Sequence, residues 1–353
     1  MKITFVLPYA GLAGGVRVIA KLAEALVAQG DTVNAVSCEL ERPSIKQRIK
    51  DVLKGKGFAP VVDREPSHFD HLDIEHVVAP YSPPIKAKYL PGADWVVATW
   101  FETANWVNDY SAEYGKKAYF IQQYEANFGF SPELVDYTWK LPLRKIVCSQ
   151  WLSDLAVQRF NSPHLPVVNN GVDFEQFYAT GERRRSETPT IGFLYSPPRS
   201  KGYEDLQVIT DIVRKTIPTA KVLAYGTVPP PQLMENTEFH QRPAQGFLRE
   251  IYCRCDVWLC ASKSEGFHLP PHEAMACRTP VVSTNVGGPS DMIQHGVDGF
   301  LRHPGENEEL AGDVLEVLTC PPERWKRYSE AAHAKAKRYT WAQAATNFKA
   351  ALS

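Results

Sequence analysis

Short apolar runs alternate along the chain with longer segments that have helical spacing. This alternation is typical of parallel sheets whose strands are joined by helices, so the pattern predicts an α/β fold. Strands are predicted at Ile3–Leu7, Thr32–Ser37, Trp95–Thr99, Ala118–Gln122 and Ile146–Ser149, and then at Thr190–Leu194, Lys221–Tyr225, Val257–Cys260 and Pro280–Ser283.

The two groups of strands predict two domains. A break at residues 161–166 separates them, and 353 residues are long for one hydrophobic core but comfortable for two. We expect residues 1–165 to form the first domain and residues 166–339 the second. A final helix, 340–353, opens at Thr340 as its N-cap and is expected to return to the first domain.

Composition limits the functional classes. A net charge of −1 gives no global attraction to nucleic acid, and no apolar run approaches the ~18 residues of a membrane span. Because Lys2 enters a strand at once, we expect no signal peptide. Seven scattered cysteines indicate reduced thiols and a cytoplasmic protein. His68 and His71 have no cysteine partner, so solvated histidines are favoured over a metal site.

Two carboxylates eight positions apart, Glu265 and Glu273, are the strongest chemical feature of the chain. A buried strand precedes them, and residues 272–277 are typical of the first turns of a helix. A helix N-terminus offers backbone N–H groups to an anion. Carboxylates on either side of that point can accept hydrogen bonds from hydroxyls flanking a phosphate, which is the chemistry of a nucleotide-sugar.

The segment from Glu265 to Leu301, with its Gly287-Gly288 pair and its turn at residues 296–301, resembles family 4 glycosyltransferases of GT-B architecture. The resemblance implies two Rossmann-like domains that face each other across a cleft, with the ligand at the carboxyl ends of both sheets. It also implies a retaining hexosyltransferase that uses a UDP-, GDP- or dTDP-linked donor and a glycan or lipid-linked glycan acceptor.

The resemblance assigns roles residue by residue. Glu265 would position the hydroxyls of the donor sugar, and Glu273 would hold the ribose diol. Lys201, with Arg199, would meet the negative charge of the leaving diphosphate. The other donor-binding residues implied are Gly14, Gly15, Tyr225, Gly226, Arg242, Gly266 and Phe267.

The sequence departs from the family at two strand ends. Lys201-Gly202 match the family pattern, but Ser196 occupies the usual arginine position, so Arg199 either reaches the same phosphate or leaves the positive charge halved. The strand end at residues 122–125 reads Gln-Gln-Tyr-Glu where many members carry a histidine. That ending resembles a rhamnosyltransferase-like branch.

Several readings stay open. No Asp-x-Asp motif is present to hold a metal against a diphosphate, so we expect a cofactor-free, metal-independent transfer in polysaccharide or glycolipid biosynthesis. The alternatives are a GT-B relative with other chemistry, such as a sugar-nucleotide epimerase or a phosphorylase, and a non-catalytic nucleotide-sugar-binding partner.

Residues 44–56 form either an ordinary domain helix or a basic amphipathic helix on the inner leaflet of the plasma membrane.

Overall fold

The computed structural model describes residues 1–39 and 66–353, and these form two compact units. The first unit consists of Met1–Ile121, Tyr137–Ile146 and Leu352–Ser353, and the second of Gln122–Asp136 and Val147–Ala351. The basic helix predicted for residues 44–56 lies outside the described residues. The domain limits 1–165 and 166–339 stay a prediction.

Six strands form the sheet of the first unit. They are β1 (Lys2–Tyr9), β2 (Thr32–Cys38), β3 (Glu75–Ala79), β4 (Trp95–Ala98), β5 (Lys116–Ile121) and β6 (Arg144–Val147). Their spatial order is β3-β2-β1-β4-β5-β6, and β1 pairs in parallel with both β2 and β4. The chain order reverses between β1 and β4, which is the doubly wound arrangement of a Rossmann-like sheet.

Six more strands form the sheet of the second unit. They are β7 (Thr190–Tyr195), β8 (Lys221–Gly226), β9 (Thr237–Gln241), β10 (Val257–Cys260), β11 (Val281–Thr284) and β12 (Phe300–Arg302). Their order is β12-β11-β10-β7-β8-β9 with all pairings parallel, so the second sheet repeats the topology of the first. Its switch point lies between β7 and β10, where such sheets bind ligands.

Within the described residues, helices follow most of these strands, and the last three helices come after β12. In chain order they are α1 (Gly14–Ala28), α2 (Phe101–Asp109), α3 (Pro132–Trp139), α4 (Gln150–Phe160), α5 (Tyr203–Thr216), α6 (Leu248–Arg254), α7 (Leu269–Ala276), α8 (Gly288–Met292), α9 (Asn307–Thr319), α10 (Pro322–Ala336) and α11 (Trp341–Leu352). Helices α5 and α9 bury Leu206 and Leu310 against Phe193 and Val257 of the second sheet, which fixes β7 and β10 in a packed core.

The nine predicted strands are all present, and the α/β fold with two Rossmann-like sheets is confirmed. Three strands were not predicted: β3, β9 and β12. Each is an edge strand, and β3 and β9 are mostly half-buried or exposed, so their sequences lack the continuous apolar run of a central strand.

The predictions at helix ends have mixed outcomes. Thr340 is the N-cap of α11, because its hydroxyl accepts a hydrogen bond of 3.1 Å from the N–H of Gln343. The start of α7 at residue 272 is wrong, since the helix begins at Leu269. The prolines at 270 and 271 explain the difference, because the fixed φ of proline suits the first turn of a helix.

The structure also bears on membrane spans and thiols. Within the described ranges, every helix is too short or too polar to cross a membrane. All seven cysteines are free, as predicted, and six of them are buried.

Candidate active site

Two loops at the switch point of the second sheet bring the main site residues together. The loop after β7 carries Lys201, and the loop after β10 carries Glu265. Because β7 and β10 are parallel neighbours, both loops leave the same edge of the sheet. The sequence therefore places a cation and a carboxylate side by side although they are far apart along the chain.

Gly202 fixes the position of Lys201. It has a φ of +71°, and a Cβ atom there would lie 1.9 Å from the carbonyl oxygen of Ala261. The backbone N–H of Lys263 donates to the carbonyl of Ser200 at 2.7 Å, which joins the two loops a second time. Only glycine combines a left-handed conformation with such a close approach of two backbones.

Lys201 and Glu265 form a hydrogen-bonded ion pair. The Nζ atom of Lys201 lies 2.7 Å from Oε2 of Glu265, and Ser262 donates its hydroxyl to Oε1 at 2.8 Å. The Glu265 side chain is only 8% exposed, whereas that of Lys201 is 25% exposed. Lys201 is therefore the more accessible member of the pair, and the carboxylate of Glu265 is held in place on both oxygens.

The surroundings keep Glu265 charged. Burial raises the pKa of its carboxyl, but this effect is outweighed by His268, Lys201 and the hydroxyl of Ser262, so the pKa lies below its usual value. Burial also lowers the pKa of His268, which leaves its imidazole neutral near pH 7. At neutral pH, the charge on Glu265 is therefore stabilised by Lys201 and Ser262.

His268 lies beside the ion pair as the residue before α7. Its Nδ1 atom is 3.6 Å from Oε1 of Glu265, which is too long for a hydrogen bond. The same residue has a φ of +73°, in the left-handed region that favours glycine.

A small cavity joins these side chains. Ser196, at the position of the family arginine, lines it together with the two charged residues. The full lining is Leu194, Ser196, Lys201, Leu206, Leu259, Cys260, Ala261, Ser262, Glu265 and His268. The lining thus combines apolar side chains from the strand ends with polar and charged groups that can bind a phosphate or a hydroxyl.

Close backbone contacts hold the loop that contains Gly266 and Phe267. A Cβ atom on Gly266 would lie 1.7 Å from the carbonyl oxygen of Gln122, and one on Gly288 would lie 2.6 Å from that of Phe267. Ser149 and Trp151 both donate to the carbonyl of Gly266, at 2.8 and 3.0 Å. The glycines that carry the family resemblance are therefore required by packing around Glu265.

Glu273 lies at the end of a buried chain of hydroxyls. Tyr252 donates to Oε2 of Glu273 at 2.7 Å, and the hydroxyl oxygens of Tyr225 and Tyr252 are 2.8 Å apart. Because the single proton of Tyr252 goes to the carboxylate, Tyr225 is the donor in the second bond. Burial, with the charge of Glu273, raises the pKa of Tyr252 well above its usual value. Tyr225 therefore points into the protein interior and is linked to Glu273 through Tyr252.

The N-terminus of α7 offers fewer donors than a typical helix start. Pro270 and Pro271 have no N–H group, so two of the backbone donors that a first turn usually offers are missing. An anion bound here would depend mainly on Lys201 and would meet fewer helix-terminal N–H groups than the sequence predicts.

Residues of the second unit's first segment, 122–136, also reach the site. The ring centre of Phe128 is 5.2 Å from Nζ of Lys201, within the range of a cation–π interaction. Asn127 donates to the hydroxyl of Ser264 at 2.9 Å, next to Glu265. The strand end at which the sequence departs from the family therefore leads into a turn, Glu125–Phe128, that borders the site.

Other predicted residues lie outside this cluster. Arg199 is exposed in the turn before Gly202 and has no ion-pair partner among the described residues. Arg242, with a φ of +49°, turns its Nε back to the carbonyl of Thr227 at 3.0 Å. Gly226 packs against the carbonyl of Tyr195. In the first unit, Gly14 and Gly15 open α1 just after β1.

Four site residues were not predicted. Ser262 and His268 each lie three residues from Glu265, on opposite sides of it in the sequence. Both are polar residues that closely follow a buried strand, and this pattern could have indicated them as site residues. Tyr252 and Phe128 had no local signal, because both reach the site only through tertiary packing.

The histidines considered for a metal lie elsewhere. His71 is exposed as predicted, whereas His68 is half-buried, and burial lowers its pKa. Residues 1–39 and 66–353 contain no group of three or more His, Cys, Asp or Glu side chains arranged to hold a metal ion.

Part of the chain matches a known family model. Residues 231–335 match the family model described as glycosyl transferases group 1. Alpha-maltose-1-phosphate synthase of Mycobacterium tuberculosis is 26% identical over 208 residues, which cover 50% of this chain and 53% of that protein. The chain spans about half the length, or less, of the curated relatives it matches.

Solved structures are similar over the whole chain. HepE from Anabaena, in complex with UDP and glucose, has a TM-score of 0.76 at 18% identity. The match covers 100% of this chain and 99% of the HepE chain. A mutant of S. aureus TarM, in complex with fondaparinux, alpha-GlcNAc-glycerol and UDP, has a TM-score of 0.77 at 10% identity, with coverages of 100% and 99%. At these identities the likeness shows the fold, which is GT-B.

Proposed function

We propose that this chain of GT-B fold is a family 4 glycosyltransferase that moves a hexose from a nucleoside diphosphate sugar to an acceptor hydroxyl. In this proposal the transfer retains the anomeric configuration and needs no metal ion. One observation carries it: the 2.7 Å pair of Lys201 and Glu265 borders a cavity at the switch point of the second sheet.

The chemistry follows from the charges of this pair. As the bond between the anomeric carbon and the phosphate oxygen breaks, negative charge grows on the diphosphate and positive charge on the sugar ring. The ammonium of Lys201 stabilises the first, and the carboxylate of Glu265 stabilises the second while it accepts hydrogen bonds from sugar hydroxyls. The acceptor oxygen arrives on the face that the diphosphate leaves, and its proton departs with the diphosphate.

Glu273 has a different role in the proposal. Its carboxylate would bind the ribose diol of the donor, a part that changes little during the reaction. The bond from Tyr252 supports this role because it holds one carboxylate oxygen in a fixed position.

The partners are proposed on comparison and chemistry. UDP is the first candidate nucleotide, since HepE and TarM were solved with UDP, and GDP and dTDP are the alternatives. The acceptor is a hydroxyl of a glycan or lipid-linked glycan, used at the cytoplasmic side of the membrane. Arg199 would contribute a second charge only if it turned from its exposed position toward the phosphates.

A ligand screen followed by product analysis tests the proposal. One of UDP-glucose, GDP-mannose or dTDP-rhamnose should raise the melting temperature, because a ligand that binds only the folded state stabilises it. With acceptor, the same donor should release nucleoside diphosphate at a rate unchanged by EDTA, and NMR should show the donor's anomeric configuration in the product. Inverted product or loss of activity in EDTA would overturn retention or metal independence, respectively.

Ser196 supports a second candidate, a non-catalytic nucleotide-sugar-binding partner. A serine in place of the family arginine leaves Lys201 as the cation that lines the cavity in the described part of the chain. This candidate predicts that nucleotide-sugars bind but that no nucleoside diphosphate is released with any glycan acceptor. Release of nucleoside diphosphate that depends on acceptor would exclude it.

A further inference from the structure

His268 presents a buried polar atom to the cavity without using it inside the protein. Its side chain is 7% exposed, it lines the cavity with Lys201 and Glu265, and its Nδ1 atom has no hydrogen-bond partner among the described residues. A buried polar atom without a partner is unfavourable in the free protein, so a native structure that keeps one calls for a reason.

The backbone at His268 is a second, independent observation. Its φ of +73° and ψ of 80° lie in the left-handed region, where residues other than glycine are uncommon, although histidine occurs there more often than most. The residue stands between the Glu265 loop and α7, so this conformation directs its side chain beside the carboxylate. Backbone strain and a missing hydrogen bond in one cavity-lining residue together indicate function more than packing.

We propose that His268 determines donor specificity, with Nδ1 forming a hydrogen bond to a hydroxyl of the transferred sugar next to the hydroxyl held by Glu265. The inference rests on the proposed function and adds a sugar-reading residue to it. The 3.6 Å between Nδ1 and Oε1 of Glu265 allows the two atoms to bind neighbouring hydroxyls of one ring.

The charge state of the imidazole suits this role. Burial and the nearby Lys201 lower the pKa of His268, while Glu265 opposes them, and the result is a neutral ring near pH 7. A neutral imidazole can donate or accept a hydrogen bond, and a sugar hydroxyl can do the same. Lys201 and Glu265, which are charged, would then bind groups that carry or develop a charge. His268 would recognise a neutral hydroxyl.

His272 provides a matched control on the same helix. It is also buried, but its Nε2 atom lies 3.4 Å from the carbonyl of Ala336, and its ring packs edge-on against Tyr339 at 5.3 Å. It does not belong to the cavity lining. A role in packing alone therefore predicts similar behaviour for variants of the two histidines, whereas sugar recognition predicts a difference.

The test compares a nucleotide with its sugar-linked form. Calorimetry would measure the affinities of UDP and UDP-glucose for wild type, His268→Gly, His268→Asn and His272→Gln, with GDP and GDP-mannose as the second pair of probes. His268→Gly removes the side chain and suits the positive φ, and asparagine keeps both a tolerance of that φ and a hydrogen-bonding group.

The expected result is a loss confined to the sugar. His268→Gly should bind UDP with the affinity of wild type. The ratio of its affinities for UDP-glucose and UDP should be roughly three- to tenfold lower than in wild type, the effect expected for one hydrogen bond. His268→Asn should recover part of it, and His272→Gln should match wild type. An unchanged ratio of the two affinities in His268→Gly would overturn the inference.

A spectroscopic measurement on wild type covers the case in which a variant does not fold. The nitrogen-15 resonance of Nδ1 in His268 should move when UDP-glucose is added and stay in place with UDP. A resonance that responds equally to both would overturn the inference while leaving the proposed function intact. If wild type binds neither pair of probes nor the dTDP forms, the proposed function itself fails.

Discussion

Lys201 and Glu265, 64 positions apart in the chain, form a 2.7 Å ion pair in which the carboxylate is almost fully buried. A buried carboxylate depends on its partner, because removing one member leaves the other charge uncompensated. The two residues are thus coupled, and substitutions in both should lower activity by less than the sum of their separate effects.

The first prediction concerns Lys201→Ala. It should raise the activation barrier of transfer by about 2–4 kcal/mol, the effect of losing one strong electrostatic stabiliser. Lys263→Ala is the matched control, since Lys263 pairs with Asp205 at 3.2 Å and is half-exposed, and a surface pair of this kind contributes at most ~1 kcal/mol. Steady-state kinetics would measure both.

Arg199→Ala completes this comparison. Arg199 is exposed, so the structure favours a small effect, whereas a role as replacement for the family arginine requires a loss similar to that of Lys201→Ala. Equal kinetics for Lys201→Ala and Lys263→Ala would contradict the assignment of the diphosphate charge to Lys201.

The second prediction concerns Tyr252→Phe. Glu273 would lose the hydroxyl that holds its Oε2, at a cost of about 1–3 kcal/mol in the free energy of unfolding. Nucleoside diphosphate affinity should fall while turnover at saturating donor changes little. Tyr225→Phe is the control, because it removes only the hydroxyl that donates to Tyr252 and leaves the bond to Glu273 in place. It should therefore weaken nucleotide binding less. Equal effects of the two substitutions would argue against positioning of Glu273.

The third prediction separates backbone conformation from close contact. Gly202→Ala and Gly296→Ala both place a side chain at a φ above +70°, but only at Gly202 would the new Cβ meet a neighbouring atom, 1.9 Å from the carbonyl of Ala261. Gly296→Ala should cost about 1 kcal/mol in the free energy of unfolding. Gly202→Ala should cost a further 1–3 kcal/mol or so, and it should also impair transfer by displacing Lys201.

Denaturant titration and kinetics of both glycine variants would measure this difference. Similar unfolding free energies with unchanged transfer in both would mean that the contact between the loops does not position Lys201.

The fourth prediction is a pH dependence. Burial lowers the pKa of His272 from 6.5 to about 4, so the unfolded chain binds a proton there more readily than the folded protein does. The contribution of His272 to stability is complete above pH 6.5 and is lost as the pH falls toward 4. The total loss is about 3 kcal/mol in the free energy of unfolding. Thermal unfolding at several pH values would show it.

His272→Gln provides the reference for this measurement. Glutamine does not titrate but can still donate to the carbonyl of Ala336, so its melting temperature should fall less steeply between pH 6.5 and 4 than that of wild type. Parallel curves for the two proteins would mean that His272 does not titrate in the way that its burial implies.

The central strands and the Glu265 segment could be predicted from the sequence, whereas the ion pair of Lys201 and Glu265 and parts of its surroundings could not. Central strands are continuous apolar runs, whereas β9 reads Thr-Glu-Phe-His-Gln because an edge strand is only partly covered. The Glu265 segment could be predicted because its spacing and glycines are local. Tyr252 and Phe128 could not, since their contacts with the site depend on how α6 and residues 125–128 pack.

Substitutions of Glu265 and Glu273 should have different effects on nucleotide binding, and this difference tests the donor site most directly. Calorimetry would measure the affinity of the nucleoside diphosphate identified by the ligand screen for wild type, Glu265→Gln and Glu273→Ala. We predict nearly normal binding to Glu265→Gln, which keeps its volume but loses the charge that faces the sugar. Glu273→Ala should bind roughly ten- to hundredfold more weakly, as expected for lost hydrogen bonds to a charged group. Normal binding to Glu273→Ala with weak binding to Glu265→Gln would contradict the account.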